Sequence, residues 1–276
     1  MKKSLYDKVN LHNGVEMPQF GLGVYKVEEG KEVCDTVTSA LEIGYRLIDT
    51  AALYKNEEGV GKAIRKSSVP REELFITTKV WNSDQGYEST LKAFEDSMGK
   101  LALEYVDLYL IHWPVKEKYH DTWRALEKLY LDGRVKAIGV SNFQIHHLED
   151  LMKQSEIKPM VNQVELHPLL SQVELRSFCS EQQIQIEAWS PIARGRILDN
   201  LTLNELATKY EKSSAQIILR WHLQNDVIII PKSVTPSRLV ENANIFDFEL
   251  NPKEMEAINR LNVNQRFGAD PDDFDF

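Results

Sequence analysis

The 276-residue chain has only two cysteines, Cys34 and Cys179, each in a stretch of helical period. That excludes a disulfide-built scaffold and predicts plain thiols in a reducing compartment. No apolar run approaches the roughly 20 residues of a membrane span; the run 227–231 is among the longest. No apolar stretch follows Lys2 and Lys3, so no signal peptide is expected and the cytoplasm is the predicted location. Positive charge is scarce: 33 Lys and Arg face 42 Asp and Glu, a net charge of -9. This excludes a nonspecific nucleic-acid binder, which needs a basic face to displace counterions. A local basic pocket for one phosphorylated ligand is still allowed. Also missing is a complete glycine-rich dinucleotide fingerprint, because Gly21-Leu22-Gly23 lacks the third glycine. The seven histidines are scattered, and His146-His147 has no carboxylate or cysteine nearby at ligand spacing, so no metal site is expected.

What is present is an alternation. Apolar runs at 20–24, 47–50, 74–80, 106–112, 135–141, 160–167, 184–190 and 227–232 read as eight strands. Segments of helical period lie between and after them, at 31–43, 57–66, 87–101, 122–130, 146–154, 172–182, 203–209 with 215–224, and 237–243. The run 105–112 is apolar on both faces except for Asp107, as suits a parallel strand covered on both sides. Eight strand–helix repeats predict a closed (β/α)8 barrel in a single domain over 1–276. Two short runs around Asn13-Gly14 predict a hairpin that closes the barrel bottom. The polar, acidic tail from about 262 is expected to be either loose or a flap over the active site.

Barrel chemistry sits at the C-terminal ends of strands. The second strand ends in Asp49, Tyr54 follows in its loop, the third strand ends at Lys79 and the fourth at His112. Singly, Asp49 reads as a turn cap, Tyr54 as a packing residue and His112 as a structural histidine. Lys79 is different: half-buried within Phe75-Ile76-Thr77-Thr78-Lys79-Val80-Trp81, it needs a counter-charge, and Asp49 is next door. A phenol is a poor acid until something stabilises its phenolate, and a neighbouring ammonium would do so. A histidine at hydrogen-bond range can orient a carbonyl oxygen. The set fits proton delivery to a carbonyl, with Tyr54 as acid, better than hydrolysis, which would need a nucleophile–base pair.

Barrels bind phosphate at the loops after strands seven and eight. Lys232 and Ser233 leave the last strand, and Arg238 opens a helix whose N-terminus favours an anion. Ser141, Asn142 and Gln163 end the fifth and sixth strands and suit a carboxamide, while Trp189 suits stacking on a ring.

The motifs Gly44-Tyr45-Arg46-Leu47-Ile48-Asp49-Thr50-Ala51 with Tyr54, Thr78-Lys79-Val80-Trp81, Asp107-Leu108-Tyr109-Leu110-Ile111-His112-Trp113-Pro114, Ile138-Gly139-Val140-Ser141-Asn142-Phe143, Asn162-Gln163-Val164-Glu165-Leu166-His167-Pro168 and Ile230-Pro231-Lys232-Ser233 occur in this order. In these the sequence resembles the aldo-keto reductase family along nearly its whole length. The resemblance implies a barrel that binds NADPH extended and uses it to reduce a small carbonyl substrate. It also implies Tyr54 as general acid, Lys79 and Asp49 as its tuning pair, and His112 as the carbonyl-orienting residue. Cofactor contacts would fall on Gly23, Val24, Asp49, Ser141, Asn142, Gln163, Trp189, Ser190, Lys232, Ser233, Val234, Arg238, Glu241 and Asn242. Glu241 and Asn242 would sit at the adenine, and Lys232 with Arg238 would clamp a 2′-phosphate, hence NADPH over NADH. Trp189 stands where many animal members have tyrosine. Short rim loops imply an open substrate pocket of Val24, Tyr25, Leu53, Trp81, His112 and Trp113, similar to the bacterial branch of glyoxal, methylglyoxal and diketogluconate reductases. The family favours a monomer. Two other readings stand beside this one: a Schiff-base enzyme with Lys79 as nucleophile, and an NADPH-sensing regulator.

Overall fold

The computed structural model describes residues 4–276. Strand β1 (Lys8–Asn10) pairs antiparallel with β2 (Glu16–Pro18) across the Asn13-Gly14 turn, where Gly14 has φ 85°. A primed hairpin turn needs that conformation, and glycine adopts it without steric cost. The hairpin tip reaches the starts of other strands: Asn13 Nδ2 donates to Lys136 O, and His12 Nε2 lies 3.3 Å from Lys158 O. With Met17 fully buried, the hairpin closes the N-terminal mouth of the barrel.

Eight strands follow: β3 (Gly21–Gly23), β4 (Leu47–Asp49), β5 (Phe75–Val80), β6 (Val106–Ile111), β7 (Val135–Ser141), β8 (Val161–Glu165), β9 (Gln185–Trp189) and β10 (Ile228–Ile229). Each pairs in parallel with the next, and a parallel bridge from Phe20 to Ile229 joins last to first. This is the (β/α)8 barrel that the alternation predicted. The intervening helices are α1 (Lys31–Ile43), α2 (Glu57–Lys66), α3 (Tyr87–Leu101), α4 (Tyr119–Leu131), α5 (Ile145–Met152), α6 (Val173–Glu181), α7 (Leu201–Tyr210) and α8 (Ser214–Gln224). After β10 comes α9 (Pro236–Ala243), then α10 (Pro252–Asn259). Every residue of β5 and β6 is buried, because helices cover the outer face and the barrel fills the inner one.

Two elements depart most from the sequence reading. Strand β10 keeps only two residues of the expected 227–232, the chain leaving the sheet at Ile230. Helix α10 was not expected at all, yet it carries a full capping box: Asn251 Oδ1 accepts from Lys253 N and Glu254 N, and Glu254 returns to Asn251 N. Among the described residues no helix is long and apolar enough to cross a membrane.

Register positions the site. Asp49 pairs with Thr77, Ser141 with Gln163, and Gln163 with Glu187. Paired residues in a parallel sheet project to the same side, and so do residues two apart on a strand. Asp49, Thr77, Lys79, Ser141, Gln163, Glu187 and Trp189 therefore share the inner face, towards its C-terminal rim.

Candidate active site

The Lys79 ammonium, with no exposed surface, lies 2.7 and 2.8 Å from the two Asp49 carboxylate oxygens, 2.9 Å from Thr50 O and 3.4 Å from Tyr54 Oη. The Tyr54 ring meets the His112 ring at 5.7 Å and 74°. The four rim residues read from the sequence thus meet in one place. Asn56 shapes the Tyr54 loop: its Nδ2 donates to Val24 O and Val27 O, and its Oδ1 accepts from Thr50 Oγ1.

Burial works against the Lys79 charge, but Asp49 foremost, then Tyr54, outweigh it and hold the ammonium protonated. For Asp49, burial pushes the carboxyl up against the pull of Lys79 and Gln163. His112 is driven well below the usual histidine range by burial and by the Lys79 charge, so its imidazole is neutral near pH 7. Its Nδ1 is buried without a partner among the described residues. Tyr54 corrects one expectation. Lys79 does pull its phenol down, yet burial is the larger effect, and the phenol is pushed up to about 12. The phenol therefore keeps its proton through the neutral range.

A chain of hydrogen bonds ties this centre to the next strands. Gln163 Nε2 donates to Asp49 Oδ2 at 2.8 Å, and Ser141 Oγ donates to Gln163 O at 2.8 Å. Asn142 Nδ2 donates to His112 O and to Ser141 Oγ, and Trp189 Nε1 donates to Asn142 Oδ1 at 2.8 Å. Asn142 and Ser190, both at strand ends, hold φ of 65° and 49°. Such strained backbone often marks working positions. Gln163 Oε1 makes no hydrogen bond among the described residues and is free to accept one. Gly23 lies so close to the chain leaving β10 that a Cβ there would lie 2.8 Å from Ile230 O.

After β10, Lys232 and Arg238 are exposed and form no ion pair among the described residues. Ser233 is buried and bonds Thr235 N, and half-buried Val234 follows it. Glu241 accepts from Ser213 Oγ, and Asn242 is buried beside it on α9.

Tyr25 meets Tyr54 at 5.0 Å, and Trp81 meets His112 at 5.1 Å; Leu53 is half-buried alongside. Val24, by contrast, has no exposed surface and packs in the core. The tail crosses this rim. Phe276 stacks on Trp81 at 5.9 Å and 4°, both Phe274 and Phe276 meet Trp113 at 5.2 Å, and Asn82 Nδ2 donates to Phe276 O. Asp272 of the tail faces His146 and His147, a three-ligand grouping that the linear spacing did not show. His147 Nδ1 accepts from Gln144 N, so its own proton occupies Nε2, the nitrogen turned to Asp272. That protonation is wrong for a metal ligand.

Two carboxylates escaped the sequence reading. Glu187 is fully buried in the barrel, accepts from Gln163 Nε2 at 2.8 Å, and is pushed up to about 8 by burial and by Asp49. Its place two residues before Trp189 was the available signal. Glu165 gave no such signal, because Phe267 and Gly268, which bond its carboxylate, come from a distant segment.

Residues 19–263 match the model of the Aldo/keto reductase family. The chain belongs to that family. It is 63% identical to glyoxal reductase of Bacillus subtilis, with 100% of both chains covered. It is 48% identical to methylglyoxal reductase DkgA of Escherichia coli, covering 96% of this chain and 97% of that one. Among solved structures, a mutant of Gox0644 in complex with NADPH superposes with a TM-score of 0.94 at 45% identity, covering 98% of this chain and 99% of that one. As a family member the protein is an oxidoreductase built on the barrel described above.

Proposed function

We propose that the protein reduces small aldehydes, ketones and α-dicarbonyls of the glyoxal and methylglyoxal kind with NADPH, Tyr54 serving as general acid. The observation that carries this reading is the fully buried Lys79 ammonium, gripped by both oxygens of Asp49 and within 3.4 Å of Tyr54 Oη. The names of the similar proteins, glyoxal and methylglyoxal reductase, support the substrate class.

The residues present fit the cofactor. Gln163 Oε1 is an unused acceptor for a carboxamide, with Ser141 and Asn142 beside it, and Trp189 would flank the ring. Gly23, Val24 and Ser190 would offer backbone. Lys232 and Arg238, with Ser233 and Val234, would hold the 2′-phosphate, and Glu241 and Asn242 would hold the adenine. When bound, the nicotinamide supplies a hydride at C4.

The chain's own groups do the rest. Neutral His112 donates an N–H to the carbonyl oxygen and fixes its direction. Tyr54 gives the phenolic proton to that oxygen as it becomes an alkoxide, whose basicity far exceeds that of the phenolate left behind. Lys79 stabilises the phenolate, and Asp49 keeps Lys79 charged and in place. Tyr25, Leu53, Trp81, His112 and Trp113 would line the carbonyl pocket, with the tail as its cover in a single domain.

A Schiff-base reading fits less well. A lysine nucleophile needs a free lone pair, and Lys79 is held charged by three acceptors. The low cysteine count fits a reducing compartment, and we place the protein in the cytoplasm as a monomer. A panel of glyoxals, aldoses, keto-sugars and aromatic aldehydes at fixed NADPH tests the assignment. Highest efficiency with the α-dicarbonyls is expected. No NADPH oxidation with any carbonyl would overturn it in favour of a sensor.

A further inference from the structure

The segment that follows α10 is stitched across the rim by its backbone. Val263 N and Gln265 N both donate to Leu169 O, at 3.2 and 3.0 Å. Phe267 N donates to Glu165 Oε1 at 2.8 Å, and Gly268 N to Glu165 Oε2 at 3.0 Å. Glu165 ends β8 and is itself buried, with His167 Nε2 3.1 Å from the same Oε1. The Phe267 ring is held between His167, at 5.3 Å, and the Arg196 guanidinium, at 4.7 Å. One carboxylate therefore satisfies two successive N–H groups, a geometry that fixes both position and direction of the strap.

What the strap delivers is a bare backbone against Trp189. A Cβ on Gly268 would lie 2.4 Å from Trp189 Cη2, 3.3 Å from Cζ2 and 3.1 Å from Glu165 Oε2. Two bonds from Cζ2, through Cε2, the pyrrole nitrogen Nε1 of the same indole is tethered to Asn142 Oδ1. The ring thus has a backbone stop at its benzo end and a hydrogen bond at its pyrrole nitrogen. Any side chain at 268 must push the indole off that bond or lift the strap off Glu165.

We propose that Gly268, held by Glu165, is a positioning residue that sets the indole of Trp189 at the angle required to stack on the nicotinamide ring. This rests on the NADPH reading above. It assigns a cofactor task to the segment 263–268, separate from the cover that Phe274 and Phe276 make over Trp113 and Trp81. It also connects the two halves of the rim, since the same strap continues from the cofactor side to the carbonyl pocket.

The experiment compares two ligands on wild type, Gly268→Ala and Glu165→Gln, by titration of tryptophan fluorescence. One ligand is NADP+. The other is 2′-phospho-ADP-ribose, which has the phosphate and adenine but no nicotinamide ring. In the variants NADP+ should bind about fivefold more weakly, as expected for one lost stacking contact, and the ring-free ligand should bind as it does to wild type. A general loosening of the barrel would weaken both ligands together, and that result overturns the proposal. So does an unchanged ratio of the two constants in both variants. Glu165→Gln guards against the case in which the alanine variant does not fold, because it loosens the strap without adding an atom at the indole. If wild type binds the ring-free ligand but not NADP+ more tightly, stacking by Trp189 fails and the positioning role with it. If wild type binds neither, the NADPH reading itself is what falls.

Discussion

Replacing Lys79 with methionine separates what the buried charge does for stability from what it does for chemistry. The side chain is fully buried, and its ammonium makes three short contacts, two to Asp49 and one to Thr50 O. Lys79→Met leaves Asp49 buried with the Gln163 hydrogen bond as its remaining side-chain partner. Breaking a buried pair from one side costs about 3–5 kcal/mol, because the remaining charge is uncompensated. Folds of this kind hold about 5–15 kcal/mol, so the variant should still fold, with Tm lowered on the order of 10 °C. Burial already pushes the Asp49 carboxyl up, so uptake of a proton softens the penalty. Adding Asp49→Asn removes the stranded charge, and the double variant should regain much of the lost Tm. Activity should not return with it. Without the ammonium nothing stabilises the Tyr54 phenolate, and kcat with methylglyoxal should fall by about 10²–10⁴ in both variants. Thermal melts and NADPH-oxidation assays on the same preparations give both numbers. A double variant that recovered wild-type kcat along with its Tm would refute the reasoning, for it would make Lys79 structural.

Three further outcomes follow from the same geometry. Histidines 112, 147 and 222 are all held below the usual histidine range mainly by burial, His147 at about 4 and His222 at about 3. The unfolded chain then binds more protons below pH ~6.5, so urea midpoints should drop as pH falls from there towards 4, and a flat profile would contradict the burial. Glu187 has the opposite sign: pushed up to about 8, its carboxyl costs stability as pH rises from its unfolded value of about 4.3. Glu187→Gln should therefore raise the urea midpoint more at pH 8 than near pH 5, and an equal effect at both would show that Glu187 is not held protonated. Arg238→Ala should weaken NADPH binding about tenfold while leaving NADH unchanged, as loss of one charge-assisted phosphate contact requires; equal loss for both cofactors would remove the 2′-phosphate from that site.

Much of this was legible in the sequence because a parallel barrel turns strand order into spatial order. Once 47–50, 74–80 and 106–112 read as neighbouring strands, Asp49, Lys79 and His112 had to meet at one rim, and they do. The burial of Lys79 was legible only in part: its neighbours in the sequence suggest a half-buried lysine, whereas helices and barrel cover β5 along its whole length and leave Lys79 no exposed surface. The sign of the Tyr54 shift was not. It depends on how much surface the Tyr25 ring and the surrounding loop remove from water, and that burial exceeds the pull of the ammonium. Glu187 was hidden inside a strand whose other inward residue, Trp189, drew the reading. The Glu165 and Gly268 contact joins residues more than 100 positions apart, and the motif around Glu165 carries no sign of its distant partner. Helix α10 shows a local signal that went unread: Asn251, Pro252 and Glu254 are a capping box, lost beside a polar tail.

Tyr54→Phe tests the central claim most directly, since it removes one oxygen and keeps the ring that packs against Tyr25 and His112. NADP+ affinity and Tm should stay near wild type while kcat with methylglyoxal falls by about 10²–10⁴. Retention of wild-type turnover by the phenylalanine variant would contradict the account, because the proton would then come from another group.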